Sequence, residues 1–311
     1  MLVVILAAAC REPGAGGRSR AAQPPPAASS SDALSLAERS PAAQPSPAAP
    51  PSTAGRAIDD AQLGALLRES GTGAVLVTDV ATGRVVASAA SGRELAAPVM
   101  SLSVIKLYVA ALWWEHGRGD GDFVVRDRHV TVRDMLIDGW DRPGEEMAVA
   151  LRRELGAAAM LAALRGYGLD GLALPADADD ARWGSALSIG EHDVRVTLAQ
   201  VARFLGAIGG GSRLLAPETQ RRLQSALRDA VERGTAKSAG ARLAGLAWQL
   251  GGKTGTGPVG ADPHDGWFAG LIFDRGAPRY AIAVYIERRG LGGGVAAGLA
   301  AEVTRQLAAA R

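Results

Sequence analysis

The chain reads as an α+β fold, with an antiparallel five-stranded sheet flanked by helices and a helical subdomain inserted between its early and late strands. Three observations predict it. Two strand-like segments lie early in the folded part, and three more lie near the C-terminus. The stretch between them carries helical spacing, and one more helix follows the last strand. Strands divided in this way around helices fit one sheet completed from both chain ends.

The elements follow in order. IDDAQLGALLRES (58–70) puts Leu63, Leu66 and Leu67 on one helix face. AVLVTDVATGRVVASAA (74–90) predicts two strands joined by a turn at Ala81-Thr82-Gly83-Arg84. SVIKLYVAALWWEH (103–116) is a strongly apolar helix stopped by Gly117. Residues 147–169 predict two helices broken near Gly156, and 197–208 and 217–234 predict two more. The segments 246–256, 265–273 and 279–288 predict the late strands, and 296–310 the closing helix.

Ahead of this folded part, residues 57–311, lie two segments of another character. Residues 11–56 are dominated by Pro, Ala, Ser and Gly, as in PPPAASSS and PAAQPSPAAPPS. They hold too few large apolar residues to bury a core, and Pro-rich chains form semi-extended spacers. Residues 1–10 read MLVVILAAAC, an apolar run ending in small residues before Cys10. This resembles a lipoprotein signal, so Cys10 is expected to be the lipidated first residue of an exported protein at the outer face of the cytoplasmic membrane. An ordinary cysteine is the alternative. Cys10 is the single cysteine, so an intrachain disulfide is excluded. Beyond the first residues, no apolar run is long enough for a separate transmembrane helix.

The formal net charge is +2, which points to no nucleic-acid partner. Lys and Arg total 34, of which three are lysine: Lys106, Lys237 and Lys253. Where a chain defaults to Arg, a Lys marks a place for an amine able to lose its proton. The histidines, His116, His129, His192 and His264, lack ligand spacing, so neither a metal nor a cofactor is expected.

Two of the three lysines sit in motifs. Ser103-Val-Ile-Lys106 opens the apolar helix, and a spacing of three puts both side chains on one face, one turn apart. A serine in the first turn also feels the positive field of the helix N-terminus. Gly251-Gly-Lys253-Thr254-Gly255-Thr256-Gly257 places an amine and two hydroxyls on a strand whose glycines allow close backbone approach. Such a strand can hold a carboxylate. A nucleotide P-loop is excluded, because its first glycine would fall at Ala247.

An SxxK followed about 150 residues later by KTG is the pattern of penicillin-binding proteins and serine β-lactamases. On these motifs the chain resembles the penicillin-binding transpeptidase domain. LSIGEHDVRVTLAQVARFLGAIGGG (187–211), ERGTAKSAG (232–240) and HDGWFAGLIF (264–273) are similar to its other segments, in matching order. The resemblance implies a β-lactamase/transpeptidase-like fold acting on peptidoglycan stem peptides or β-lactams. Ser103 would be the acylated nucleophile, and Lys106 the neutral base, its pKa lowered by burial and by Lys253. The N–H groups of Ser103 and Thr256 would form the oxyanion hole. Lys253, Thr254, Gly255 and Thr256 would bind the substrate carboxylate.

The family's second hydroxyl, carried as SxN or SxD, is missing. Gly139-Trp140-Asp141 falls in its place. Asp141 is an acceptable third residue and Trp140 would border the substrate, but Gly139 carries no proton. Three readings follow: a D,D-transpeptidase or carboxypeptidase, a β-lactamase of the same fold, or a weakened penicillin-recognising or wall-binding protein. Glu191 is the acid nearest in sequence to a β-lactamase deacylating position, and it is assigned no catalytic role. With no second base evident, both acylation and deacylation are expected to be slow.

Overall fold

The computed structural model describes residues 58–190, 194–257, 264–289 and 292–310. The signal-like segment, the Pro-rich stretch, Glu191 and His192 lie outside these residues.

The expected sheet is present. Helix α1 (Asp60–Ser70) leads into β1 (Gly73–Asp79) and β2 (Val85–Ser91). Much later come β7 (Trp248–Gly257), β8 (Asp265–Asp274) and β9 (Ala277–Ile286), in strand order β2-β1-β9-β8-β7. Every neighbouring pair is antiparallel, and β1 joins β9 in the register Gly73↔Ile286 through Asp79↔Tyr280. The early and late strands thus meet at the centre of the sheet.

Period-two alternation sorts the strand side chains onto two covered faces. Val75, Val77, Phe268, Ile272, Ile282 and Val284 pack with α1 and with α10 (Val295–Ala309). Leu76, Trp267, Leu271, Phe273 and Ala283 pack into the helical block. A sheet covered on both faces has strands that read as near-continuous apolar runs. This describes β8, buried from Asp265 to Phe273.

Between the two strand sets, the chain forms β3 (Val99–Met100), one 3₁₀ turn (Leu102–Val104) and α2 (Ile105–Glu115). Then come β4 (Phe123–Val125), β5 (Arg128–Val130), α3 (Val132–Asp138), α4 (Arg142–Leu155), α5 (Ala157–Gly166) and α6 (Asp180–Ile189). The block ends with β6 (Arg195–Val196), α7 (Leu198–Ile208), α8 (Pro217–Glu232) and α9 (Lys237–Ala241). Helix α2 is buried from Ile105 to Trp114 and forms the axis of this block. Tyr108 stacks on Phe204 of α7 at 4.0 Å, and Tyr167 tilts against the same ring at 5.5 Å, so both tyrosines serve packing. No described helix is long and apolar enough to cross a membrane.

The start of α4 differs from the sequence expectation, and α3, α6, α9 and β3 to β6 are elements it did not contain. Helix α4 starts at Arg142 rather than near 147, because Pro143 is at home in a first helical turn. Helix α3 was not expected; Thr131 and Asp134 form a capping box that starts it.

Candidate active site

Ser103 sits in the middle of the 3₁₀ turn, two residues before α2 begins, and is half-buried. The residue before it, Leu102, is non-glycine with φ 47° and is 1% exposed. A left-handed leucine is a strained conformation that surrounding packing must hold. Strand β7 supplies part of that packing. A Cβ at Gly255 would lie 3.1 Å from Leu102 Cβ and 3.4 Å from Ser103 N, so the strand runs this close to the turn only with glycine there. Ser101, the other serine of the turn, is fully buried.

One turn after Ser103, Lys106 is also fully buried. Its Nζ donates to Ser103 Oγ at 3.0 Å and to Asp141 Oδ1 at 2.6 Å. The Asp141 side chain is 53% exposed, so it forms the open side of this three-residue cluster.

Asp141 comes from the turn between α3 and α4. Gly139 ends α3 with φ 83° and donates its N–H to Met135 O, the left-handed stop that favours glycine. Trp140 is half-buried between the two. The Asp141 carbonyl accepts from Ser188 Oγ at 2.6 Å, and Ser188 is fully buried on α6. The turn is therefore fixed from behind by a hydroxyl.

Strand β7 forms the facing wall. Lys253 is 1% exposed and its Nζ donates to Thr254 O at 2.9 Å. Thr254 Oγ1 donates to Thr235 Oγ1 at 2.7 Å, and Thr235 N donates to Ile137 O at the end of α3. Thr256 is exposed, and its hydroxyl accepts from Gly292 N at 3.0 Å. A Cβ at Gly139 would lie 3.7 Å from Lys253 Nζ and 3.7 Å from Thr235 Cγ2. Residue 139 therefore faces the strand lysine.

Burial pulls the Lys106 pKa below its ordinary range, and the Asp141 carboxylate opposes that fall. Burial likewise pulls Lys253 down, to about 7, and the charge of Lys106 adds to it; Asp141 and Asp138 oppose. Desolvation is the leading cause for both amines.

Ser103, Lys106, Asp141, Lys253, Thr254, Gly255 and Thr256 thus lie in one neighbourhood although they come from three separate stretches of chain. Asp265, the first residue of β8, is 4% exposed and accepts from Tyr285 Oη and Arg288 N. Two residues escaped the sequence reading: Thr235, within the segment 232–240, and Ser188. Among the described residues, no group of three or more His, Cys, Asp or Glu is placed to hold a metal.

The family model described as the penicillin binding protein transpeptidase domain matches residues 73–307. Three solved structures share the fold. The transpeptidase domain of the FtsI4 D,D-transpeptidase from Legionella pneumophila is 20% identical, with a TM-score of 0.62 over 81% of this chain and 93% of that one. The apo transpeptidase domain of penicillin-binding protein 3 from Burkholderia pseudomallei is 19% identical, with a TM-score of 0.63 over 84% and 96%. Penicillin-binding protein A of M. tuberculosis, as a penicillin G acyl-enzyme complex, is 17% identical, with a TM-score of 0.61 over 77% and 74%. Among curated proteins none matches.

Proposed function

The chain belongs to the penicillin-binding protein transpeptidase domain family, and on that premise we propose that it is a serine D,D-acyltransferase, of transpeptidase or carboxypeptidase type, working through an acyl-enzyme on Ser103. Its substrates are the D-alanyl-D-alanine ends of peptidoglycan stem peptides, and β-lactams acylate the same serine. The observation that carries this reading is the 3.0 Å contact between the half-buried Ser103 hydroxyl and a fully buried lysine amine. A nucleophile is activated by a base within hydrogen-bond reach, and burial favours the neutral amine that such a base must be.

Lys106 takes the Ser103 proton as Oγ attacks the scissile carbonyl. The N–H groups of Ser103 and Thr256 hold the oxyanion, and such donors are worth about 10²–10³ in rate. Lys253, Thr254 and Thr256 receive the substrate's terminal carboxylate. Gly139 supplies no hydroxyl to return the proton to the leaving nitrogen, and this favours a second reading, an attenuated penicillin binder that acylates slowly. The sequence also supports placing the domain outside the cell, tethered at Cys10 by a spacer.

Intact mass measurement after exposure to benzylpenicillin tests the assignment. The full drug mass should add to the native chain and to Ser101→Ala, but not to Ser103→Ala. Addition at Ser101, which is fully buried, or loss of labelling in neither variant, overturns it.

A further inference from the structure

We propose that Asp141 is the base that activates the deacylating water, which makes this domain a hydrolase that releases its acyl group to water. The inference rests on the Ser103 acyl-enzyme proposed above. Three observations carry it. Asp141 Oδ1 lies 2.6 Å from the Nζ that is itself 3.0 Å from Ser103 Oγ, so a carboxylate stands one lysine away from the ester oxygen. That carboxylate is 53% exposed, on the solvent side of the cluster, where an attacking water arrives. Residue 139 beside it is glycine, so no side chain occupies the position whose Cβ would lie 3.7 Å from Lys253 Nζ and from Thr235 Cγ2.

The hydrogen bond from Ser188 to the Asp141 carbonyl holds the backbone that carries the carboxylate, and Lys106 Nζ holds the carboxylate itself. An asparagine there could still accept from Lys106 through its amide oxygen, more weakly than a carboxylate. It would not accept a proton from water, so the acid is informative.

The proton balance closes within the Lys106–Asp141 pair, which holds one shared proton at the start and end of each half-reaction and a second one in transit. With that proton on Asp141, Lys106 is neutral and serves acylation: it takes the Ser103 proton and passes it to the departing nitrogen. With the proton on Lys106, Asp141 is a carboxylate and serves deacylation. Water then adds to the ester carbonyl and gives one proton to Asp141. The adduct expels Ser103 Oγ, which takes a proton from the Lys106 ammonium. The carbon–oxygen bond to Ser103 breaks, the product leaves as a carboxylic acid, and Asp141 returns its proton to Lys106.

The experiment follows benzylpenicillin adducts on the full chain by intact mass after free drug is removed, in the native protein, Asp141→Asn and Asp141→Glu. The native adduct should decay, with benzylpenicilloic acid appearing in step. Asp141→Asn should still acylate at Ser103, which reports an intact fold and cleft, but its adduct should decay about 10²–10⁴-fold more slowly, the span a positioned base contributes. Asp141→Glu should decay faster than Asp141→Asn. Decay of the Asp141→Asn adduct within threefold of native overturns the assignment. So does failure of that variant to acylate at all, which would give Asp141 to acylation or to folding. A native protein that forms neither adduct nor penicilloic acid overturns the Ser103 reading itself.

Discussion

Lys253 shows how function strains a single residue. It is 1% exposed, with its amine against a backbone carbonyl and the charge of Lys106 close by. An amine held there when charged costs folding free energy, because the unfolded chain would solvate it. Its folded pKa of about 7 lies below the ordinary 10.5. Between those values the unfolded chain binds more protons than the folded one, so stability rises with pH across that window. Lys253→Met should therefore raise the melting temperature at pH 7 and below, where the penalty is fully present. Buried charges replaced by apolar groups recover about 1–4 kcal/mol, and each kcal/mol moves a domain of this size by about 2–4 °C. The gain should shrink as pH climbs toward 10, and penicillin capture should be lost throughout. Thermal melts of both proteins from pH 6 to pH 10 check this. A destabilised variant, or a gain that does not vary with pH, would show that the amine is well solvated in its site.

At the scale of elements, the end of α3 explains the missing hydroxyl. Gly139 stops the helix at φ 83°, where any side chain costs about 1–2 kcal/mol. The turn is well closed, and it forgoes a proton carrier. Gly139→Ser would set its Cβ 3.7 Å from Lys253 Nζ, within reach of the cleft. Acylation by penicillin should accelerate, toward the 10²–10⁴-fold worth of a positioned carrier, while stability falls by about the strain given above. Stopped-time mass measurements beside chemical denaturation check both halves. An unchanged acylation rate at the lowered stability would show that the proton already has another route. The same region marks the limit of what the sequence makes legible. Ser103 and Lys106 are three residues apart on one helical turn, and the β7 motif is a continuous run, so local spacing reveals both. The Lys106–Asp141 pair spans 35 residues and the Ser188–Asp141 bond 47. No local pattern encodes those distances. Strands β3 and β6 have two residues each, too short to show a period.

For the whole molecule, the sheet was readable because each strand is a distinct apolar run. That the two strand sets complete one sheet was legible from their split around the helices, whereas the pairing of β1 with β9 was not. This closure also separates the chain into parts with different tasks. Every cleft group named above comes from residues 103–256, and the elements that hold them lie within 58–310. The Pro-rich stretch has too few large apolar residues to join either core. Its composition suits a spacer, and the run before Cys10 suits attachment. Removing residues 1–56 should therefore leave the rate of penicillin capture and the melting temperature unchanged. Cys10→Ala in the full chain, produced in a host that lipidates exported proteins, should move the protein from the membrane fraction to the soluble exported fraction. A single acyl chain binds membranes only marginally, so stable retention requires the several chains of a full lipoprotein modification. Membrane retention of Cys10→Ala would sink the anchor. Loss of capture on removing residues 1–56 would mean that the leading segment helps to build the cleft.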